Sequence, residues 1–238
     1  MSIRFATFSI VARDPASGWL GIGIASRPPC VGSHCPLIRP GLGAAVTQAW
    51  TNPYLSHRVM ERLERGAGAR EALDAVIAAE TDAELRQVGV VDARGEVAAF
   101  TGAGTDPAGG HRIGDQVTVQ GNMLAEETVL DAMHDAFVAA SERPFPERLL
   151  AALVAGQGEG GDARGTRSAN LRVLGEEVYP LMDLRIDWHE EPVAALERLY
   201  RVAERELFPF IGALPTRANP RGQFEAVRAQ MSPPPRRG

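Results

Sequence analysis

The asparagine at position 122 has a side chain and a sequence setting that could serve catalysis. It ends the segment Gln120-Gly121-Asn122, which the apolar pattern places at the end of a strand and ahead of a helix. An asparagine amide in such a place can donate a hydrogen bond to a substrate oxygen that becomes negatively charged in the transition state. The same side chain could instead cap the start of the helix. Asn122 is therefore a candidate oxyanion donor, with helix capping as the alternative.

A glycine-rich segment, residues 160–165, presents a second polar group. It reads Gly-Gly-Asp-Ala-Arg-Gly, and its glycines predict a tight turn that displays Asp162 and Arg164 as a charge pair. The segment is not a phosphate-binding loop, because it lacks the lysine and the spacing of one and leads into a strand pattern. We expect Asp162 and Arg164 to support the structure or to lie at the edge of a substrate site, with a catalytic role left open.

Several kinds of chemistry are excluded by residue type. The chain has no lysine, so all 25 basic residues are arginine, and mechanisms based on a Schiff-base or phosphate-loop lysine are ruled out. Cys30 and Cys35 have neither a zinc-site nor a redox spacing and are predicted to be free thiols. The five histidines are scattered along the chain. We therefore predict no metal site and no cofactor.

The charge and hydropathy of the chain limit its partners. The formal net charge is -5 at pH 7, which argues against binding to a nucleic acid backbone. No apolar run approaches the roughly 20 residues that a membrane helix needs, and the N-terminal residues lack the pattern of a signal peptide. We expect a cytoplasmic protein that binds a small molecule and not a membrane. Glycine- and alanine-rich strands and a long amphipathic C-terminal helix are compatible with a homodimer.

The elements that must position these side chains alternate in groups. The pattern predicts three strands, two helices, three strands, two helices, two strands and a helix. The predicted strands are 5–13, 19–25, 42–48, 87–92, 96–101, 116–120, 168–174 and 181–186, and the last helix is 193–207. Residues 27–40 and 103–114 are predicted to be irregular loops. Hairpins stand where parallel strands would need crossovers, so we expect antiparallel sheets with helices on their outer faces.

Seven short motifs, taken in order, resemble a known bacterial family. They are TFSIVARDP at 7–15, GIGIASR at 21–27, TQA at 47–49, RQVGVVD at 86–92, AFTG at 99–102, QGNML at 120–124 and GGDARG at 160–165. Together they resemble the domain of unknown function 1028 (DUF1028) family, and the first two also resemble the opening hairpin of N-terminal-nucleophile (Ntn) hydrolases such as proteasome β-subunits. The resemblance covers about residues 5–207. It implies an α+β fold, a four-layer αββα Ntn-hydrolase sandwich of two mainly antiparallel sheets.

The resemblance also implies a nucleophile. An Ntn hydrolase attacks with the side chain of its first residue and uses the α-amine of that residue, with a pKa near 8, as the base. Thr7 matches the start of the family motif, so residues 1–6 would be an extension removed by autocleavage at Ala6-Thr7 or by trimming. Ser2 would become N-terminal after loss of methionine, but it lies outside the motif. The main domain is then 7–208, followed by a partly disordered extension, 209–238.

Other site residues follow from the same resemblance. Ser9 shares a strand face with Thr7, and Gln48 lies in the TQA motif, so both are candidate substrate contacts. Proteasome-type sites place a lysine near the nucleophile; here an arginine such as Arg27 would have to supply the positive charge. His34, in the loop that follows, could bind or gate the substrate. The expected activity is hydrolysis of a linear amide or related C–N bond. The alternative is a non-catalytic small-molecule-binding protein whose N-terminus is never processed.

Overall fold

The structure is a computed structural model that describes residues 6–105 and 108–231. Most of the predicted N-terminal extension, Met1 to Phe5, lies outside the described residues, as does the end of the predicted C-terminal extension from Ser232 onward. The division of the chain into an extension, a domain and a second extension stays a prediction.

The described residues form ten strands and seven α-helices. The strands are β1 (Thr7–Arg13), β2 (Leu20–Ser26), β3 (Pro36–Arg39), β4 (Gly43–Ala49), β5 (Arg86–Asp92), β6 (Val97–Thr101), β7 (Gly110–Gly114), β8 (Val117–Asn122), β9 (Ser168–Leu174) and β10 (Met182–Ile186). The helices are α1 (Pro53–Glu64), α2 (Ala69–Ala78), α3 (Thr128–Ala139), α4 (Phe145–Gly158), α5 (Pro192–Glu206), α6 (Phe208–Gly212) and α7 (Phe224–Met231). No described helix is both long enough and apolar enough to cross a bilayer.

The strands form two antiparallel sheets. One has six strands in the order β10-β9-β2-β1-β8-β7, and the other has four in the order β3-β4-β5-β6. The first hairpin, β1 and β2, pairs Arg13 with Leu20 across the predicted turn. In that turn Gly18 has a φ of 75°, which glycine adopts without steric cost, and Asp14 accepts a hydrogen bond from the Ser17 backbone.

Alternation along β1 shows how the layers stack. Phe8 and Ile10 point outward into a hydrophobic cluster with α3, α4 and α5, whereas Val11 points into a second cluster between the two sheets. In β5, Val88 and Val90 pack against α1 and α2, and Val91 faces the first sheet. Each sheet is therefore covered by helices on its outer face and by the other sheet on its inner face. This arrangement confirms the predicted α+β, four-layer αββα sandwich.

The first helix begins at an asparagine-proline pair. Asn52 is the N-cap, and its side chain accepts a hydrogen bond from the Tyr54 backbone nitrogen at 3.2 Å, with Pro53 in the first turn. Leu55, Val59 and Leu63 lie on one face of this helix and are buried against the four-stranded sheet.

Two strands were not predicted from the sequence. β3 lies inside the segment expected to be irregular, and β7 lies inside residues 103–114, so both expectations are wrong. Each is an edge strand, β3 beginning with Pro36 and β7 bounded by Gly110 and Gly114. Proline and glycine are tolerated at sheet edges but remove the alternation that marks a strand. The chain also continues past the predicted last helix with α6 and α7.

Candidate functional site

Four strand ends place a row of polar side chains at one end of the six-stranded sheet. Thr7, the first residue of β1, pairs with Ser26 of β2 on one side and with Asn122 of β8 on the other, and Ser26 pairs with Ser168 of β9. Residues directly opposite each other point to the same face, so the four side chains form one line. All four are buried, and Thr7 is only 4% exposed. The sheet register thus brings together Thr7 and Asn122, the two predicted catalytic residues.

The hydroxyl groups of Thr7 and Ser26 form a directed pair. Ser26 Oγ donates a hydrogen bond to the carbonyl oxygen of Ala6 at 2.5 Å and lies 2.9 Å from Thr7 Oγ1. A serine hydroxyl has one hydrogen, which is used on Ala6, so Thr7 must be the donor in the second bond. The proton of Thr7 therefore points at Ser26, and the proton of Ser26 points at the carbonyl of the peptide bond that joins Ala6 to Thr7.

The glycine-rich segment crosses the same end of the sheet. Asp162 forms a bridge with Leu124, just beyond β8, and the backbone nitrogen of Arg167 donates to Ser26 O at 2.8 Å. Because β1 lies between β8 and β2, the segment passes over the start of β1. Asp162 is 1% exposed and accepts a hydrogen bond from the Arg164 backbone at 2.9 Å and others from its guanidinium at 3.3 Å. The predicted charge pair is present at the Thr7 end of the sandwich.

Ser9 and Gln48 approach Thr7 from the interior. Ser9 Oγ donates to Gln48 Oε1 at 2.6 Å, and Gln48 Nε2 donates to the Thr7 carbonyl oxygen at 3.2 Å. Both side chains are fully buried between the two sheets. Their contacts with Thr7 and with each other therefore lie in the interior of the sandwich, and their role as substrate contacts stays a prediction.

Arg27 and His34 lie on the loop that follows β2. The Arg27 guanidinium stacks over the Trp188 ring, 5.3 Å from its centroid, and is half-buried. His34 is exposed, with Nδ1 2.7 Å from Ser33 Oγ. Within the described residues neither side chain hydrogen-bonds Thr7, so neither belongs to the polar row, and their roles at the site stay predictions.

Comparison with known proteins identifies the family. A model described as "Family of unknown function (DUF1028)" matches residues 7–196, and the match begins at Thr7. The chain belongs to the DUF1028 family. The crystal structure of protein SPO2555 from Silicibacter pomeroyi, also assigned to DUF1028, is similar to it, with a TM-score of 0.84 and 33% sequence identity over 91% of this chain and 95% of that one. Anbu (ancestral beta-subunit) from Yersinia bercovieri has a TM-score of 0.40 and 12% identity, covering 88% of this chain and 98% of that one. None of the curated proteins searched matches the chain.

One of the two roles considered for Asn122 is wrong in this DUF1028 protein. Asn122 is the last residue of β8, whereas α3 begins at Thr128 with Glu127 as its N-cap. The intervening residues include Met123 with a φ of 52°, which turns the chain before the helix starts. Asn122 therefore does not cap α3, and its role as an oxyanion donor stays a prediction.

Three buried residues that hydrogen-bond to Thr7, Ser9 or Gln48 were not singled out from the sequence. Ser26 is the next-to-last residue of the GIGIASR motif, and Gln87 and Gln120 lie in two other family motifs. What distinguishes them is that each is a polar residue on the inward face of a largely apolar strand. All three are at most 1% exposed. Recognising that face requires the strand pairing, which single motifs do not show.

The two thiols of the DUF1028 protein are free, as predicted. Cys30 is exposed, whereas burial raises the pKa of Cys35 to about 12, so Cys35 is no nucleophile at neutral pH. Among the described residues, no group of three or more His, Cys, Asp or Glu side chains is arranged to hold a metal ion.

Proposed function

We propose that this protein is an amidohydrolase that cleaves a linear amide or related C–N bond with Thr7 as an N-terminal nucleophile. The observation that carries the proposal is the directed pair of hydroxyls at the start of β1. Thr7 Oγ1 donates to Ser26 Oγ, and Ser26 donates to the carbonyl of Ala6, the residue that blocks the amine of Thr7. Ser26 thus contacts both the proposed nucleophile and the carbonyl of the peptide bond that must be cut to free the amine of Thr7.

The mature site would work as follows. The free α-amine of Thr7 takes the hydroxyl proton while Oγ1 attacks the substrate carbonyl, and the side-chain amide of Asn122, opposite Thr7 in the sheet, donates to the oxygen that becomes negative. The C–N bond breaks, the leaving amine takes the proton, and the acyl group stays on Thr7 as an ester. Water then hydrolyses the ester, which releases the acid and restores the hydroxyl.

The same residues support removal of the extension by the protein itself. Thr7 Oγ1 attacks the Ala6 carbonyl carbon, its proton passes to Ser26 Oγ, and the proton of Ser26 passes to the Ala6 oxygen. When the C–N bond breaks, the proton moves on to the Thr7 nitrogen, and water hydrolyses the ester left between Ala6 and Thr7. No outside acid or base is needed, because the two hydroxyls already form the path.

Intact-mass spectrometry and N-terminal sequencing of protein without an N-terminal tag test this function. We expect wild-type protein to acquire a terminus at Thr7 and then to form a covalent adduct at that residue with a β-lactone. Thr7→Ser should still process, because it keeps the hydroxyl, and Thr7→Ala should keep its extension and form no adduct.

A wild-type protein that keeps its original terminus and forms no adduct would overturn the proposal. That result would favour the alternative, a small-molecule-binding protein with an unprocessed N-terminus, since Thr7 is almost inaccessible while Ala6 precedes it. Thr7→Ala that still acquires the Thr7 terminus would instead show trimming by another protease.

The proposal also covers the working form of the protein. It takes a small molecule as substrate, needs no cofactor, and acts as a cytoplasmic homodimer. Size-exclusion chromatography with light scattering measures the oligomeric state, and a monomer at all concentrations would contradict that part alone.

A further inference from the structure

Three glutamines lie between the two sheets, and each has a fixed amide orientation. Their side chains are fully buried, and each Nε2 donates to a backbone carbonyl oxygen, which can only accept. These bonds join Gln48 to Thr7 at 3.2 Å, Gln87 to Gly121 at 2.8 Å and Gln120 to Ser9 at 3.3 Å. Turning any of the three amides over would place two oxygens against each other.

The fixed amides impose one direction on the hydrogen bonds between them. Gln120 Nε2 donates to Ser9 Oγ at 2.6 Å, and Ser9 Oγ passes its single hydrogen on to Gln48 Oε1, also at 2.6 Å. Gln48 Nε2 then donates to Gln87 Oε1 at 2.7 Å. This series of hydrogen bonds starts at Thr118, whose hydroxyl donates to Gln120 Oε1 at 3.1 Å.

Beyond Gln87 the side chains of Thr101 and His111 continue the polar contacts. Gln87 Nε2 lies 3.0 Å from Thr101 Oγ1 and 3.0 Å from the Gly110 carbonyl oxygen, in addition to its bond to Gly121, and Thr101 Oγ1 lies 2.9 Å from His111 Nδ1. A hydroxyl oxygen can accept two hydrogen bonds, so either Thr101 Oγ1 or His111 Nδ1 can be the donor in their contact. Burial, with the positive charge of Arg112 as a smaller cause, lowers the pKa of His111.

We infer that Gln48 is a positioning residue for Thr7, and that the one-directional hydrogen bonds from Thr118 to Gln87 keep the Gln48 amide turned toward the Thr7 carbonyl. This inference rests on the function proposed for Thr7. A carbonyl held at the first residue of β1 restricts rotation of that residue, and so fixes where its hydroxyl points. Gln48 touches no reacting atom; it acts by holding the residue that reacts.

Two variants remove a member of this series of hydrogen-bonded side chains, and one matched variant leaves the series intact. Gln48→Met keeps the side-chain length but removes the amide, and Thr101→Val replaces the hydroxyl that links Gln87 to His111 by a methyl group. The control is Thr47→Val, which makes the same exchange on the opposite face of β4. Thr47 is fully buried, and its Oγ1 has no hydrogen-bond partner within the described residues, so it lies outside the series.

The first readout is the reaction of Thr7 with a β-lactone, separated into the maximal rate of acylation and the half-saturating concentration. Gln48→Met should lower the maximal rate by about tenfold, the loss expected for one hydrogen bond, and leave the half-saturating concentration unchanged. Thr101→Val should lower the same rate by roughly threefold, because it weakens Gln48 only through Gln87. Thr47→Val should react at the wild-type rate. Should Gln48→Met not fold, Thr101→Val against Thr47→Val carries the same test.

A second readout does not depend on catalysis. The carbonyl carbon of Thr7 should change its NMR chemical shift in Gln48→Met and Thr101→Val and keep it in Thr47→Val. If the wild-type protein does not acylate but these shifts change, the function proposed for Thr7 fails and the positioning by Gln48 stands. If folded Gln48→Met acylates at the wild-type rate, or the Thr7 shift is the same in all three variants, the positioning inference is overturned.

Discussion

Replacing Ser26 by alanine tests the directed pair of hydroxyls most directly. The change removes the donor to the Ala6 carbonyl oxygen and the acceptor of the Thr7 proton in one step. It adds no atoms, so the surrounding strands need not move. We expect Ser26→Ala to fold and to form the Thr7 terminus much more slowly than the wild-type protein.

The size of the effect follows from what Ser26 contacts. Losing one donor to an oxygen that becomes negative slows acyl transfer by about a hundred- to a thousandfold. The loss of stability should be smaller, about 1–2 kcal/mol, because the bonds removed are between neutral groups. A rate loss in this range with a modest loss of stability separates a role in the reaction from a role in packing.

The assay follows the intact mass of freshly purified protein over time at constant pH and temperature. Ser168→Ala is the matched control, because Ser168 pairs with Ser26 in the same polar row but bonds to Pro28 O and to the Val31 nitrogen. It should process at the wild-type rate. A second control is a chain that begins Met-Thr7, from which methionine is removed after synthesis; in it Ser26→Ala should slow acylation by no more than about tenfold, since no Ala6 carbonyl is present.

The proton path through Ser26 would be refuted if Ser26→Ala and Ser168→Ala acquired the Thr7 terminus at the same rate. Equal rates would mean that another donor serves the Ala6 carbonyl, while Thr7 kept its role as nucleophile. A slow Ser168→Ala would point to general loosening of the polar row.

Three further outcomes are expected. Gly89→Ala should lower the free energy of unfolding by about 1–3 kcal/mol in urea titrations, because its Cβ would lie 2.1 Å from Gln120 Oε1; unchanged stability would show that Gln120 has room to move. Asp162→Asn should lower it by about 1–3 kcal/mol, since a buried carboxylate that accepts bonds from its own loop loses its charge. Iodoacetamide at pH 8 should alkylate Cys30 but not Cys35 in the folded protein and both in urea, because burial raises the pKa of Cys35 to about 12, and mass spectrometry counts the adducts.

Most of the fold follows from local patterns in the sequence. The first hairpin and the first helix are marked by alternation, turn residues and the Asn52 cap, all of which act over a few residues. β3 and β7 have no such signal, because they are short edge strands held by their neighbours in the sheet. Their existence depends on contacts made elsewhere in the chain.

Part of the candidate site could be predicted from the sequence. Thr7 and Ser9 fall on one strand face by simple alternation, and the hairpin register that pairs Arg13 with Leu20 also pairs Thr7 with Ser26. Ser26 could therefore have been found by counting outward from the turn. The pairing of Thr7 with Asn122 joins segments far apart in the chain, and no local pattern specifies it.

The burial of Thr7 affects how the protein reacts with amine-specific reagents, because the sequence contains no lysine. No side chain among its 238 residues carries a primary amine, so the only such group it can present is an α-amine. After cleavage at Ala6 that amine belongs to a residue that is 4% exposed in the structure. A dye that reacts with amines can therefore label at most one position per chain, and the amount bound per chain measures how accessible the N-terminal amine is.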